Sequence, residues 1–208
     1  MRPRLLLLFA TVAMLALVAC GPDDGRDLAE PSPDLTAVPV PTTTPAEIID
    51  LDPALQTTGP RGLTLDLIDN SAGATLPPES GCEGAVSPGL RWTEPPPRTA
   101  EMALVVQDVD SDGSVPWLVT GIPPSTLEAP AGNPPAGGEV RVNSTGTATW
   151  ASPCPQDGFA HRIVFTLYVL DRPLPEVGGD VDSVVAAVRD AAFGEATVLG
   201  RAAPGVTD

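Results

Sequence analysis

Short apolar segments separated by Pro- and Gly-rich turns occupy the chain beyond residue 60. The clearest is L-T-L-D-L-I-D at residues 63–69, where Leu63, Leu65 and Leu67 alternate with polar residues and fall on one face of a strand. Clusters of β-branched and aromatic residues between turns predict further strands by the same reasoning. These predicted strands are residues 89–92, 102–107, 117–122, 145–150, 162–170 and 196–202.

One segment near the C-terminus has a helical period instead. Apolar residues recur there at spacings of three and four, which places them on one face of an α-helix. They are Val181, Val184, Val185, Val188, Ala191 and Ala192, and they predict a helix over residues 181–193. Many short strands followed by one late helix are typical of a β-sandwich. We therefore expect residues 61–208 to form a mainly β, antiparallel, β-sandwich-like domain with a C-terminal helix.

The N-terminus has the pattern of an export signal. Arg2 and Arg4 precede an apolar run at residues 5–19, which is shorter than the roughly 18 residues expected of a membrane-spanning helix. The run ends in L-V-A-C, which resembles the lipobox of bacterial lipoproteins and implies cleavage before Cys20 and acylation of its thiol. Residues 1–19 are thus predicted to be a lipoprotein signal peptide, with the mature chain lipid-anchored on the extracytoplasmic face of the cell membrane. An ordinary signal peptide with a chance cysteine is the alternative.

Residues 20–60 follow the signal peptide and are rich in Pro and Thr, as in A-V-P-V-P-T-T-T-P-A. Such a composition buries too little apolar surface to offset the entropy lost on ordering the chain. We therefore predict that these residues begin with the lipidated cysteine and form a disordered tether.

The charge of the chain excludes one class of partner. Eleven basic residues, all of them Arg, stand against 27 acidic ones, which gives a formal net charge of −16. A surface this acidic repels nucleic acid and the anionic head groups of a membrane. Membrane attachment is therefore expected through the lipid anchor, and no nucleic-acid partner is expected.

Two cysteines remain after Cys20, namely Cys82 and Cys154. In an oxidising compartment an isolated pair is most simply a disulfide, and closing a loop of this length stabilises the fold by ~4 kcal/mol in the chain-entropy model. Two free buried thiols are the alternative.

The acidic stretch Q-D-V-D-S-D-G has the opening of a calcium loop, with Asp108, Asp110 and Asp112 at alternate positions before Gly113. An EF-hand also needs a bidentate Glu at its twelfth position, and Val119 stands there. The flanking sequences read as strands, whereas an EF-hand loop joins two helices. We therefore expect these carboxylates to have another role and expect no metal site.

His161 is the single histidine of the chain, which argues against a His-rich metal site and against catalysis by two histidines. The sequence contains no G-x-S-x-G elbow, no H-E-x-x-H motif and no P-loop. A Ser/His/Asp arrangement would need a serine in a nucleophile context, and none is recognisable. We expect a protein without catalytic residues and without a cofactor.

Three ordered segments carry a family resemblance. The first is G-C-E-G followed by S-P-G-L-R-W, within residues 81–92. The second is A-L-V-V-Q-D-V-D at 103–110, continued by W-L-V-T-G-I-P at 117–123. The third is S-P-C-P-Q at 152–156, followed by H-R-I-V-F-T-L-Y at 161–168. Each motif is weak alone, but their order and spacing resemble the phosphatidylethanolamine-binding protein family, especially its bacterial branch.

This resemblance spans residues 63–202 and implies a small pocket that binds phosphate-like or carboxylate-like anions, phospholipid head groups among them. In the family, paired carboxylates close one wall of the pocket. A histidine can donate to the anion while a neighbouring carboxylate orients its ring and raises its pKa. Carried over position by position, the predicted ligand-binding residues are Asp108, Asp110, Trp117, Cys154, Pro155 and His161.

Four positions depart from the family pattern. Pro116 replaces a pocket histidine and Ile163 a tyrosine, while Gln156 and Val109 replace prolines. Each lost polar side chain removes about 1.5–3 kcal/mol of interaction with a charged ligand. A second hypothesis therefore stands beside anion binding: a protein-interaction scaffold, such as an inhibitor or an envelope assembly partner, whose pocket has decayed.

Overall fold

A computed structural model describes residues 56–175 and 179–205 of the chain. This part contains nine strands and one α-helix. The strands are β1 (Gln56–Thr57), β2 (Leu65–Leu67), β3 (Leu90–Trp92), β4 (Glu101–Asp108), β5 (Ser114–Ile122), β6 (Glu128–Ala129), β7 (Glu139–Val140), β8 (His161–Leu170) and β9 (Ala192–Ala202), and the helix is α1 (Val181–Ala191).

The named strands form two antiparallel sheets. The larger sheet has the order β1-β9-β8-β4-β5-β7, and the smaller has the order β2-β3-β6. One hydrophobic cluster contains residues from both sheets, including Leu65, Leu67, Leu104 and Phe165. The β-sandwich-like prediction is therefore confirmed, and so is the shared buried face of Leu63, Leu65 and Leu67.

Helix α1 covers the other face of the larger sheet. Val184 and Val188 pack with Val105 and Leu118 in a second cluster, as the three- and four-residue spacing predicts. The Asp180 side chain caps the helix by accepting a hydrogen bond from the Ser183 amide at 2.9 Å. The helix ends at Ala191, two residues earlier than predicted, because the chain turns extended there and enters β9.

One predicted strand is wrong. Residues 145–150 form a loop, and the buried side chain of Asn143 takes the place of a partner strand. Its Nδ2 donates to the Thr149 carbonyl at 2.9 Å, and its Oδ1 accepts from the amides of Thr145 at 2.9 Å and Thr147 at 3.2 Å. Satisfying backbone groups with a side chain removes the need for a ladder of strand hydrogen bonds.

Two residues of the predicted tether form a strand. Gln56 and Thr57 pair with Val198 and Thr197 at the edge of the larger sheet, although both fall inside the predicted tether. A two-residue edge strand is too short to give an alternating pattern. The signal peptide, Cys20 and the rest of the tether lie outside the described residues. Within the described ranges, no helix is long and apolar enough to cross a bilayer.

Candidate functional site

A pocket of about 330 Å³ opens at one end of the two central strands of the larger sheet, where β4 ends and β8 begins. The core-facing side of each strand is apolar up to the pocket. On β4, Met102, Leu104 and Val106 face the core, and Asp108 is the next residue on that face. The pocket is lined by Asp108, Ser111, Ser114, Val115, Pro116, Ser144, Thr145, Ala151, Ser152, Pro153, Cys154, Pro155, Gln156 and His161.

Strand pairing brings Asp108 and His161 together. Asp108 lies opposite Ile163 in the antiparallel register of β4 and β8, and His161 is the next residue of β8 on the same face. The His161 Nδ1 lies 2.9 Å from the Asp108 Oδ2, and both residues are more than nine-tenths buried. The other oxygen of Asp108 accepts a hydrogen bond from the Asp110 amide at 3.1 Å. The sequence predicted this pair, and the structure brings it together at the pocket wall.

A second carboxylate contacts the same ring. The His161 Nε2 lies 3.1 Å from the Oδ2 of Asp157, whose side chain is about half exposed. Two acceptors can both be satisfied only if the ring carries a proton on each nitrogen. The hydrogen bond to Asp108 raises the pKa of His161 above its usual value; burial opposes this shift, and the hydrogen bond to Asp157 adds to it.

Asp157 was not among the residues predicted from sequence. Its Oδ1 accepts from the Phe159 amide at 3.0 Å, which forms an Asx turn with Gly158 at its centre, at φ +83°. This hydrogen bond and, next, the one from His161 lower the pKa of Asp157. The Asp-Gly sequence indicates a turn, but nothing in it signals a contact with the histidine.

Asp110 points away from the ring. Its carboxylate receives both the Nη2 of Arg162 at 2.6 Å and the Arg162 backbone amide at 2.7 Å. The side-chain hydrogen bond from Arg162 lowers the pKa of Asp110 to about 2. Asp110 therefore holds the acidic loop against β8, and it is not among the residues that line the pocket.

The aspartates of the acidic loop do not converge on one point. Asp108 contacts His161, and Asp110 contacts Arg162. Asp112 occupies the left-handed region at φ +49°. In the described part of the chain, no group of three or more His, Cys, Asp or Glu residues is placed to hold a metal ion.

The predicted disulfide is confirmed and forms part of the pocket. Cys82 and Cys154 are joined with their Cα atoms 4.7 Å apart, and Cys154 lines the pocket. The following residue, Pro155, also lines it and accepts a hydrogen bond from the Gly205 amide at 2.9 Å. The bridge therefore connects the pocket wall to the segment before β3.

Most of the polar groups in the pocket are hydroxyls, which the sequence analysis missed. Ser111 and Ser114 show no hydrogen bond from their hydroxyls to any residue of the described ranges, so both are available as donors. Ser144 accepts from the Val115 amide at 2.8 Å and keeps its own proton for donation. Scattered single serines carry no periodic signal. They come together only because the β4–β5 loop, the start of β5 and the connection from β7 to β8 meet at the pocket.

Two positions expected in the pocket lie elsewhere. Trp117 is 2% exposed and contacts Trp150 edge-to-face at 5.8 Å, so its ring belongs to the core between the sheets. Trp117 lines a different cavity, and its neighbour in β5, Pro116, lines the pocket at His161. Ile163 is fully buried in the same core. It lies two residues from His161 along β8 and is not among the residues that line the pocket.

Comparison with known proteins identifies the family. Residues 68–203 match the family model described as phosphatidylethanolamine-binding protein. A Mycobacterium tuberculosis protein named LppC, a proposed lipoprotein, is 36% identical over 192 residues, which is 90% of each chain. A UPF0098 protein of Methanothermobacter thermautotrophicus is 34% identical over 134 residues, covering 60% of this chain and 88% of its own. The chain belongs to the phosphatidylethanolamine-binding protein family.

Two solved structures share the fold. A phosphatidylethanolamine-binding protein homologue from Chlamydia trachomatis has a TM-score of 0.61 at 24% identity, covering 70% of this chain and 98% of its own. The Escherichia coli protein YbcL has a TM-score of 0.61 at 21% identity, covering 70% and 99%. The recognition of the family from its three motifs is confirmed.

Proposed function

We propose that this protein is a lipid-anchored binding protein of the extracytoplasmic membrane face, whose pocket at His161 holds a small oxyanion without catalysing a reaction. The anchor is supported by the L-V-A-C sequence at Cys20. It is supported further by the lipoprotein name of the relative that aligns with 90% of the chain. A diacylated and N-acylated cysteine would hold the protein firmly, because each buried methylene adds ~0.8 kcal/mol.

The observation that carries oxyanion binding is the environment of His161. The ring is buried at the pocket wall, and its Nδ1 is fixed by Asp108. Nε2 is the other donor of the ring, and Asp157 contacts it at 3.1 Å. The hydroxyls of Ser111 and Ser114 line the same pocket as His161. One cation with a few hydroxyl donors suits a phosphate- or carboxylate-bearing ligand of low charge, including a phospholipid head group.

Titration of the purified full chain with inorganic phosphate, phosphoethanolamine and acetate tests this function. Binding is followed calorimetrically and through the imidazole NMR signals, which are unambiguous because the chain has one histidine. We expect heat and a shift of the ring signals for at least one ligand. His161→Gln should abolish the heat, and Arg172→Gln, an exposed substitution at a residue that does not line the pocket, should leave it unchanged. If none of the three ligands gives binding heat or shifts the imidazole signals at millimolar concentration, the function is ruled out.

A second candidate function is protein interaction, favoured by one observation. Phe159 is 73% exposed in the loop that runs from the pocket lining to His161, where an isolated large aromatic side chain suits a partner surface. Under this hypothesis the domain is a scaffold or an inhibitor, and the pocket no longer binds a ligand. A photo-crosslinking residue at position 159, used in intact cell envelopes, distinguishes the two: one stoichiometric adduct supports the scaffold, and no adduct leaves the anion pocket as the function.

A further inference from the structure

Asp157 occupies the position on His161 that the proposed function requires. The ring has two nitrogens, and Asp108 holds Nδ1 at 2.9 Å. Nε2 is therefore the atom that a ligand anion must reach, yet the Oδ2 of Asp157 already lies 3.1 Å from it. A negatively charged group of this chain thus stands where the charged group of a ligand would bind.

The loop that carries Asp157 is weakly attached. Residues 156–160 are all exposed, and Gly158 adopts a left-handed conformation. Across the described residues, no backbone–backbone hydrogen bond ties 156–160 to another element. The carboxylate itself is about half exposed, so water can solvate it after it leaves the ring. Moving Asp157 aside therefore breaks few contacts.

The local charge restricts what can replace Asp157. Asp108 and protonated His161 balance each other at the pocket wall, and the pocket lining includes no Arg or Lys. Asp157 remains near the opening after displacement, because it is only four residues from His161 along the chain. It then repels a dianion about twice as strongly as a monoanion, since the Coulomb energy scales with charge.

We propose that Asp157 is a specificity-determining residue: its carboxylate occupies the ligand position on His161, ligands bind by displacing it, and carboxylate-type monoanions are favoured over dianions. This inference rests on the proposed anion-binding function and adds the regulation and charge preference of the same site. The occupied fraction of the site lowers the apparent affinity of any ligand, because only the open form binds.

Acetate and inorganic phosphate titrations of the full chain near neutral pH, at fixed ionic strength, test the proposal. Asp157→Asn and Asp157→Ala should bind acetate about tenfold more tightly than the parent if the loop is closed about nine-tenths of the time. The gain for phosphate should be larger than the gain for acetate. Asp190→Asn removes the same charge from an exposed position on α1 and should bind both ligands as the parent does.

The histidine signal supplies a readout that a general loss of structure would not produce. Removing Asp157 should lower the pKa of His161, and saturating acetate should raise it again in the variant, because the ligand carboxylate replaces the missing one. Equal acetate affinity in the parent and both Asp157 variants would overturn the displacement proposal while leaving anion binding intact. No binding in any variant, with an unmoved histidine signal, would overturn the proposed function as well.

Discussion

Asp108 and Asp157 contact the same imidazole from opposite sides, at 2.9 and 3.1 Å, but different parts of the fold hold them. Asp108 lies on the inner wall, at the end of β4, and every residue of β4 pairs with β8. Asp157 lies on the rim, in an exposed loop after the pocket lining. The two contact distances are therefore similar, but the two carboxylates are not held equally firmly. Sheet register fixes Asp108, whereas a single Asx turn positions Asp157. The predictions that follow separate wall from rim, in order of expected effect.

Removal of the disulfide, which joins Cys154 of the pocket lining to Cys82, should have the largest effect on stability. The Cys82→Ser/Cys154→Ser double variant should lose ~4 kcal/mol of stability, because a bridge across 72 residues restricts the unfolded chain strongly. At this size the loss corresponds to a melting temperature lower by about 8–16 °C. Differential scanning calorimetry of the parent and variant measures it. A parent that melts at the same temperature with and without reductant would contradict the expectation.

Asp108→Asn tests the wall. Losing a buried charge-assisted hydrogen bond should cost about 2 kcal/mol. The raised pKa of His161 sets the pH dependence: its stabilisation is fully present below the ordinary value of 6.5 and is lost as the pH rises through the raised folded value. The difference in unfolding free energy between parent and variant should therefore shrink from pH 5–6 toward pH 9. Urea unfolding across this range measures it, and a constant difference would argue against a protonated ring.

Asp110→Asn tests the acidic loop between wall and rim. Its pair with Arg162 is partly exposed, so the substitution should cost about 0.5–1 kcal/mol at neutral pH. The pKa of Asp110 is lowered, so this contribution is present above the ordinary value of 3.8 and disappears as the pH falls toward about 2. Thermal melts at neutral and acid pH measure it. An equal loss at both ends of that range would contradict the ion pair.

Asp157→Asn should have the smallest effect on stability. Because the carboxylate is exposed and its loop is weakly attached, we expect the melting temperature to change by less than about 2 °C. Its effect should appear in ligand affinity and in the pKa of His161. A loss of stability as large as that of Asp108→Asn would remove the distinction between wall and rim.

Much of the fold was predictable because its signals are local. The alternation at Leu63, Leu65 and Leu67 identified a buried strand face, and the spacing of Val184, Val185 and Val188 identified the helix. The paired cysteines predicted the disulfide. Asp108 and His161 were placed together by the family motifs, and strand register explains that placement. The strand predicted at residues 145–150 was wrong: β-branched Thr at alternate positions resembles a strand, whereas the buried Asn143 side chain holds the segment as a loop.

The sequence by itself determined the periodic elements, the acidic charge and the family, since each is encoded in neighbouring residues or in ordered motifs. The tertiary structure alone decided which side chains face the pocket. In the structure, Trp117 and Ile163 lie in the core, and Asp110 contacts Arg162. Asp157 contacts His161. The physical reason is that a pocket forms where loops from distant parts of the chain converge, and the direction of a loop side chain depends on contacts that no local pattern specifies.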